Sequence, residues 1–144
     1  MINEDTIYLL RECNSGIKMG VFSLDEVLEK TENEDLKKLL EAAKETHTVL
    51  GNKTHEILSQ YQDEDKEPSA MAKGMSWIKT NVKLTIDDSD KVIADLITDG
   101  CNMGVKSLSR YLNQYPAAEE RVISITRELV QAEEQLAKDL RPYL

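Results

Sequence analysis

The sequence predicts an all-α domain in which four long helices form a bundle of two antiparallel hairpins. Apolar residues recur in steps of three and four through four long stretches of the 144-residue chain, which is the helical period. No segment alternates with period two for long enough to be a strand. The frame Cys-Asn-x-Gly-Ile/Val-Lys also occurs twice, once from Cys13 and once from Cys101, which suggests two related halves.

The first predicted hairpin covers about residues 4–62. Its first helix runs from Asn3 to about Thr31, and its apolar stripe includes Ile7, Leu10, Cys13 or Asn14, Ile17, Val21, Leu24 and Leu28. Asn33 is expected to cap the second helix, with acidic residues next to it that favour the helix dipole. That helix carries Leu36, Leu39, Leu40, Ala43, His47, Leu50, Thr54, Ile57 and Tyr61. Because the connection is short, the two helices should be antiparallel neighbours.

A crossover of about residues 63–88 should separate the hairpins. The charged stretch QDEDKEP ends the first hairpin as a solvated break. The stretch SAMAKGMSWIKTNVKL then predicts a short helix that crosses the bundle. Its Met71, Met75, Trp77 and Ile78 either cover the core or form a contact surface, since Met and Trp serve both purposes.

The second predicted hairpin covers about residues 89–141. Asp88 or Ser89 should cap its first helix, whose stripe includes Val92, Leu96, Leu108 and Leu112. Pro116 is expected in the first turn of the last helix, a position that proline favours. The stripe of that helix is Val122, Ile125, Leu129, Ala132 or Glu133, Leu136 and Leu140. The length prior makes residues 1–144 a single domain.

Composition and charge exclude several function classes. The net charge of −9 argues against nucleic acid as a partner, because phosphate binding needs a basic face. Dispersed basic residues and the absence of an apolar run near the ~20 residues of a membrane span argue against a membrane role. The first residues, MINEDTIYLL, lack a signal-peptide pattern, and the two cysteines form no CxxC. We therefore expect a cytoplasmic protein.

The repeated frame predicts an internal duplication about a pseudo-twofold axis. At an offset of 88 residues the first helix aligns with the third, and at 86 the second aligns with the fourth, so that core positions match core positions. Both frames carry mid-helix glycines, which cost about 1 kcal/mol each relative to alanine. We interpret Gly16, Gly20, Gly100 and Gly104 as a close crossing of the first helix on the third. The alternative is a weakened helix in which the glycines have no role.

Cys13 and Cys101 are expected to be small buried apolar residues. The alternative is a reactive thiol, which requires an electropositive and partly exposed setting.

Four stretches carry a resemblance to the ferritin-like superfamily, and within it to an uncharacterised bacterial branch built from two helical hairpins. They are LLRECNSGIKMGVFSLDEVLEK, DLKKLLEAAKETH, LITDGCNMGVKSLSRYLNQYP and ITRELVQAEEQLAKDL. The resemblance implies a ferritin-like four-helix bundle with one crossover connection. Metal-binding members of that class take an inward Glu from two helices and a Glu-x-x-His pair from each of the other two.

This chain departs from the metal-binding pattern. We expect Ile17 and Val105 at the inward mid-helix positions of the first and third helices, and neither side chain ligates a metal. The fourth helix has no histidine. Glu12, Glu45 and Glu134 are interpreted as solvated. No catalytic or cofactor-binding residue is predicted, and no cofactor is expected.

His47 and Glu133 are the weak candidates for a metal site. His47 lies on the core stripe, and Glu133 is its repeat partner at the offset of 86. The two side chains can form a buried hydrogen-bonded pair, since buried polar groups are normally satisfied. They can also lie at a core edge where neither is truly buried, or be the remnant of a mononuclear metal or proton-transfer site.

Two functions follow from these observations. The first is a non-catalytic ferritin-like bundle that acts through self-association or a protein partner, in a stress or storage context that the resemblance suggests. The second is a metal-dependent oxidoreductase or metal-binding protein of the ferritin-like type with a degenerate site. The second needs about four inward ligands, of which His47 and Glu133 supply two.

Overall fold

Four helices contain most of the residues that the structure, a computed structural model, describes, namely 4–61 and 89–144. They are α1 (Glu4–Leu28), α2 (Glu34–Gln60), α3 (Asp90–Gln114) and α4 (Glu120–Leu140), followed by a 3-10 turn at Arg141–Tyr143. These ranges contain no strand, so the predicted all-α class is confirmed for them. The predicted crossover of 63–88, with Met71, Met75, Trp77 and Ile78, lies outside the described residues, as does Asn3.

Two of the predicted helix caps are confirmed. The side-chain oxygen of Asn33 accepts a hydrogen bond from the backbone N–H of Leu36 at 3.0 Å, at the start of α2. The hydroxyl of Ser89 accepts one from the N–H of Val92 at 3.4 Å, at the start of α3. Each bond satisfies one of the backbone donors that the first turn of a helix leaves unpaired.

Two helix boundaries differ from the prediction. Helix α1 ends at Leu28 rather than near Thr31. The buried hydroxyl of Thr31 donates to the carbonyl oxygen of Val27 at 2.7 Å and so gives this carbonyl of the last helical turn a hydrogen-bond partner. Pro116 does not lie in the first turn of α4, which begins only at Glu120. Residues of α1 hold the intervening turn instead: Asp5 accepts from the N–H of Ala117, and Thr6 from that of Glu119.

Contacts at both ends of the bundle fix the helix directions. Asp90, the first residue of α3, accepts hydrogen bonds from the N–H groups of Glu32 and Asn33 in the α1–α2 loop, each at 2.9 Å. At the opposite end, the bonds from the α3–α4 turn reach the beginning of α1. Helices α1 and α4 therefore run in one direction, and α2 and α3 in the other. Helix α1 packs mainly along α2 and α3 along α4, with further contacts between α2 and α4 and between α1 and α3.

The apolar core consists of two clusters, one at each end of the bundle. The first contains Leu24, Val27, Leu36, Leu40, Ile93, Ala94, Leu96, Ile97, Cys101, Leu136 and Leu140. The second contains Leu9, Leu10, Cys13, Ile17, Leu50, Ile57, Leu58, Leu108, Ala118, Val122, Ile125 and Leu129. Each cluster draws side chains from all four helices.

Among the described helices, none combines the length and the apolar character needed to cross a membrane.

Candidate functional site

A cavity of about 280 Å³ lies between α1 and α3 at mid-bundle. Its walls are α1 and α3, and its floor comes from His47 on α2 and from Leu129, Glu133 and Leu136 on α4. Small residues line both walls: Ser15, Gly16, Gly20 and Ser23 on α1, and Gly100, Gly104 and Ser107 on α3. Because these residues occupy little volume, the two helices leave a space between them that larger side chains would fill.

His47 and Glu133 form a hydrogen-bonded ion pair at the floor of this cavity. His47 is 3% exposed, and the side chain of Glu133 is 13% exposed. The Nε2 atom of His47 bonds to Oε1 of Glu133, while its Nδ1 atom lies 2.7 Å from the carbonyl oxygen of Ala43, one turn earlier in α2. The two candidate residues from the sequence are thus in contact, as a hydrogen-bonded pair in which His47 is buried and Glu133 half-buried.

The protonation of His47 follows from its partners. A backbone carbonyl and an ionised carboxylate are acceptors only, so both ring nitrogens must donate, and the ring that satisfies both bonds is the imidazolium. Burial by itself lowers the pKa of His47, because it disfavours the charged form. The hydrogen bond and charge of Glu133, with the Ala43 carbonyl, outweigh that effect and raise the pKa above its ordinary value of 6.5.

Both cysteines are buried thiols, as predicted from the sequence. Burial, with a smaller effect of the Glu12 charge, raises the pKa of Cys13 to about 11 despite its bond to Thr126. The hydroxyl of Thr126 donates to the Val122 carbonyl, so the Cys13 thiol is the donor in its 3.1 Å contact with that hydroxyl. Burial and the neighbouring Glu133 carboxylate raise the pKa of Cys101 strongly. Neither site favours a thiolate, so the reactive-thiol alternative finds no support.

The predicted close crossing of α1 on α3 at the glycines is wrong. Gly16 is exposed, and a Cβ atom placed there would have no neighbour within 4 Å. A Cβ atom at Gly20 would lie 3.2 Å from the His47 ring, and one at Gly104 would lie 3.6 Å from the Glu133 side chain. The glycines therefore make room for the ion pair and the cavity.

The closest backbone approach at a glycine occurs instead between α1 and α2. A Cβ atom at Gly51 would lie only 2.9 Å from Cγ2 of Ile17, which is closer than such atoms approach in proteins. Gly51 lies outside the repeated frame, and its contact depends on the packing of α2 against α1, which the sequence pattern does not indicate.

Three other sequence assignments are revised or confirmed. Val105 is only half-buried, and the positions of α1 and α3 that face the ion pair are Gly20 and Gly104 rather than Ile17 and Val105. Glu12, expected to be solvated, is half-buried and lines the cavity. Glu45 and Glu134 are exposed, as expected. The cavity itself was missed, although small residues recur on α1 and α3 at helical spacing.

The residues at the cavity floor do not form a metal centre. Within 4–61 and 89–144, no group of three or more His, Cys, Asp and Glu side chains is placed to hold a metal ion. Both ring nitrogens of His47 are already in hydrogen bonds, Nδ1 with the Ala43 carbonyl and Nε2 with Glu133. The ligand set of metal-binding ferritin-like proteins therefore does not fit the described part of the chain.

Comparison with known proteins returned no match to a family model, to a curated protein or to a solved structure.

Proposed function

We propose that this protein is a non-catalytic four-helix bundle of the ferritin-like type, whose role is to bind rather than to transform. One observation carries the proposal. At the centre of the bundle, where ferritin-like proteins hold metal, His47 and Glu133 are bonded to each other and the facing positions on α1 and α3 are glycines. The ring nitrogen and the carboxylate oxygen that could coordinate a metal are bonded to each other in the ion pair. Glycine has no side-chain atom that could coordinate a metal.

The ferritin-like part of the proposal is supported by helix direction. Helices α1 and α4 run one way, and α2 and α3 the other, so that α2 and α3 are parallel to each other. Parallel second and third helices are typical of ferritin-like bundles, whereas consecutive helices of simple up-and-down bundles are antiparallel.

The duplication part is supported by the two core clusters. The offsets of 88 and 86 relate members of one cluster to members of the other: Cys101 to Cys13, Leu36 to Val122, and Leu136 to Leu50. His47 and Glu133, also 86 residues apart, touch each other between the clusters. A residue near a twofold axis contacts its own symmetry mate. One difference between the halves is that Asn14 is buried, whereas Asn102 is exposed.

The binding role includes self-association or a protein partner, in the stress or storage context that the resemblance suggests. Static light scattering of the purified chain tests self-association directly: a mass well above the 16.3 kDa of one chain supports it. A monomer at all concentrations removes self-association and leaves a different protein, or a small molecule, as the bound species.

Metal analysis tests the non-catalytic assignment. The protein, incubated with ferrous iron or zinc and then desalted, should retain well under one equivalent, because zinc alone normally requires three protein ligands. His47→Leu removes the only buried histidine of the described residues, and His55→Leu is the matched control on the exposed face of the same helix.

Stoichiometric metal that is lost in His47→Leu and kept in His55→Leu would overturn this proposal. It would favour the second candidate, a metal-dependent oxidoreductase with a degenerate site. One observation supports this second candidate: the cavity is lined by His47, Glu133 and Cys101 together.

A further inference from the structure

We propose that the cavity between α1 and α3 binds a small, uncharged molecule with an apolar bicyclic body. The inference rests on the proposed binding role and names the ligand class of the same site. Four features of the cavity support it: its size, the glycines of its walls, its apolar lining and the ion pair at its floor.

The size of the cavity sets the size of the ligand. A dry engineered cavity of about 150 Å³ binds benzene. The cavity here, about 280 Å³, is nearly twice as large. It reaches the surface at Gly16 and Met103, which are both exposed, so a ligand has a path into it. The volume accommodates a bicyclic body of roughly ten carbon atoms with a short substituent, near the lower limit of ligand pockets in proteins.

Glycines keep the walls of the cavity open. A Cβ atom at Gly16 would have no neighbour within 4 Å, so alanine would fit there and would favour the helix. At Gly20 and Gly104, the nearest atoms to an added Cβ belong to His47 and Glu133 at the cavity floor, not to the opposite helix. A close helix crossing therefore does not explain these glycines. The space that they leave between α1 and α3 is expected where a ligand occupies it.

The lining favours an apolar body. Met19, Met103 and Tyr111 line the space. Methionine adapts its shape to irregular partners and makes favourable sulfur contacts with aromatic rings. The aliphatic part of the lining consists of Leu24, Ile97, Leu108, Leu129 and Leu136. These side chains match an aromatic or cyclic hydrocarbon body.

The ion pair at the floor presents both charges to a ligand. A Cβ atom at Gly20 would lie 3.2 Å from the His47 ring, and one at Gly104 would lie 3.6 Å from the Glu133 side chain, so the pair extends from the α1 wall to the α3 wall. Glu133 accepts hydrogen bonds from His47 and from the thiol of Cys101. A cation at the floor would meet the imidazolium as well as the carboxylate, and an anion would meet the carboxylate as well as the imidazolium.

A charged ligand would therefore lose its hydration without gaining an unpaired counter-charge. Glu12, the other carboxylate of the lining, also interacts with another residue, and the described lining contains no lysine or arginine. Moving an unpaired ion out of water costs far more than moving an uncharged group. A single hydroxyl or carbonyl substituent is accommodated more easily, because serine hydroxyls both donate and accept. The serines of the lining are Ser15, Ser23 and Ser107.

Calorimetric titration with three probes of one shape tests the charge of the ligand. Naphthylmethanol is uncharged, naphthylmethylamine is a cation and naphthoate is an anion. We expect saturable one-to-one binding of naphthylmethanol, tighter than that of either charged probe by at least about tenfold, because the charged groups find no free partner at the floor. Equal affinities for all three, tighter binding of a charged probe, or no saturable binding of naphthylmethanol would overturn the assignment.

Benzyl alcohol tests the size of the ligand. It carries the same substituent on one ring, so it covers less of the apolar lining than naphthylmethanol does. We expect it to bind at least about tenfold more weakly. Equal affinities of the two alcohols would contradict the bicyclic size.

Matched variants locate the site. Ser107→Leu adds bulk inside the cavity, whereas Ser109→Leu makes the same change two residues away at an exposed position of α3. The first should abolish naphthylmethanol binding and the second should leave it unchanged. Gly16→Leu is a second blocking variant, should Ser107→Leu fail to fold, because a side chain at Gly16 has open space around its Cβ atom. Equal effects of a blocking variant and Ser109→Leu would place the probe elsewhere and contradict the proposal.

Failure of this inference is distinguishable from failure of the proposed function. Absence of naphthylmethanol binding, with a mass above that of one chain and no retained metal, would remove the ligand class and leave the non-catalytic binding role. Stoichiometric metal that depends on His47 would overturn the proposed function, whatever the probes do.

Discussion

At the scale of single residues, His47 and Glu133 determine the character of the bundle centre. His47 is buried and Glu133 is half-buried, and the hydrogen bond between them satisfies a polar atom of each. A buried charge pair is often no more stable than an apolar pair of similar volume, whereas a single buried charge without its partner is costly. The pair is therefore expected to show strong coupling when the two residues are replaced.

Replacement of one partner should be worse than replacement of both. We expect His47→Leu to lower the free energy of unfolding by about 2–3 kcal/mol, because it removes the imidazolium that pairs with the half-buried Glu133 carboxylate. His47→Leu combined with Glu133→Leu should lie within about 1 kcal/mol of the natural protein. Urea denaturation of the natural protein, both single variants and the double variant measures the coupling. Additive effects of the two replacements would show that the pair contributes no coupling energy.

The ion pair should also make stability depend on pH. The pKa of His47 is raised in the folded state, so its contribution is fully present below the unfolded value of 6.5 and is lost as pH rises through the folded pKa. The other titratable groups that line the cavity beside this pair are Cys101 and Glu12. The raised pKa of Cys101 keeps it a thiol at neutral pH.

The measurement compares the natural protein with the double leucine variant, so that other titrating groups cancel. As pH is raised from about 5.5 to about 9, the free energy of unfolding of the natural protein should fall relative to that of the double leucine variant. A difference that is constant over this range would mean that His47 does not change its protonation on unfolding.

At the scale of helices, two glycines in one hairpin have opposite surroundings. Gly16 on α1 faces open space, whereas Gly51 on α2 is in contact with Ile17 on α1. Glycine in a helix costs about 1 kcal/mol relative to alanine, so only the second has a packing reason to be retained. Ile17 is β-branched and stiff, and its Cγ2 atom cannot move away without a change of rotamer.

Alanine at these two positions should therefore act in opposite directions. Gly16→Ala should raise the free energy of unfolding by up to about 1 kcal/mol. Gly51→Ala should lower it by about 1 kcal/mol, because the cost of overpacking exceeds the gain in helix propensity. Ile17→Leu removes the β-branch and should restore part of the loss in the Gly51→Ala background. If Gly51→Ala stabilises the protein as much as Gly16→Ala, α2 does not approach α1 closely there.

At the scale of the whole molecule, neither hairpin has a core of its own. Both clusters contain side chains from all four helices, and the ion pair joins α2 to α4 between them. Separation of the hairpins would expose both clusters at once, so no half should be stable without the other.

Thermal unfolding should accordingly be one cooperative transition. We expect the calorimetric enthalpy to equal the van't Hoff enthalpy, as for a two-state domain. Two separate transitions, or retained helix in one hairpin after the other has unfolded, would contradict the shared core. Circular dichroism and fluorescence followed on the same sample provide the independent probes.

Much of the architecture is encoded locally and was readable from the sequence. Helical periodicity, Asn33 and Ser89 as caps, and the burial of Cys13 and Cys101 depend on side-chain chemistry near each residue in the chain. The pairing of His47 with Glu133 was also anticipated, because the repeat relates the two positions by a constant offset.

Only the tertiary structure decided which surfaces meet. The position of Pro116 before α4 depends on Asp5 and Thr6, which lie more than a hundred residues away in the chain. The role of the glycines depends on the distance between α1 and α3, which leaves a cavity at Gly16 and Gly104, and on the packing of α2 against α1, which brings Gly51 onto Ile17. A sequence states which residues are small, but the space around a small residue is set by the rigid-body placement of helices that are distant in the chain.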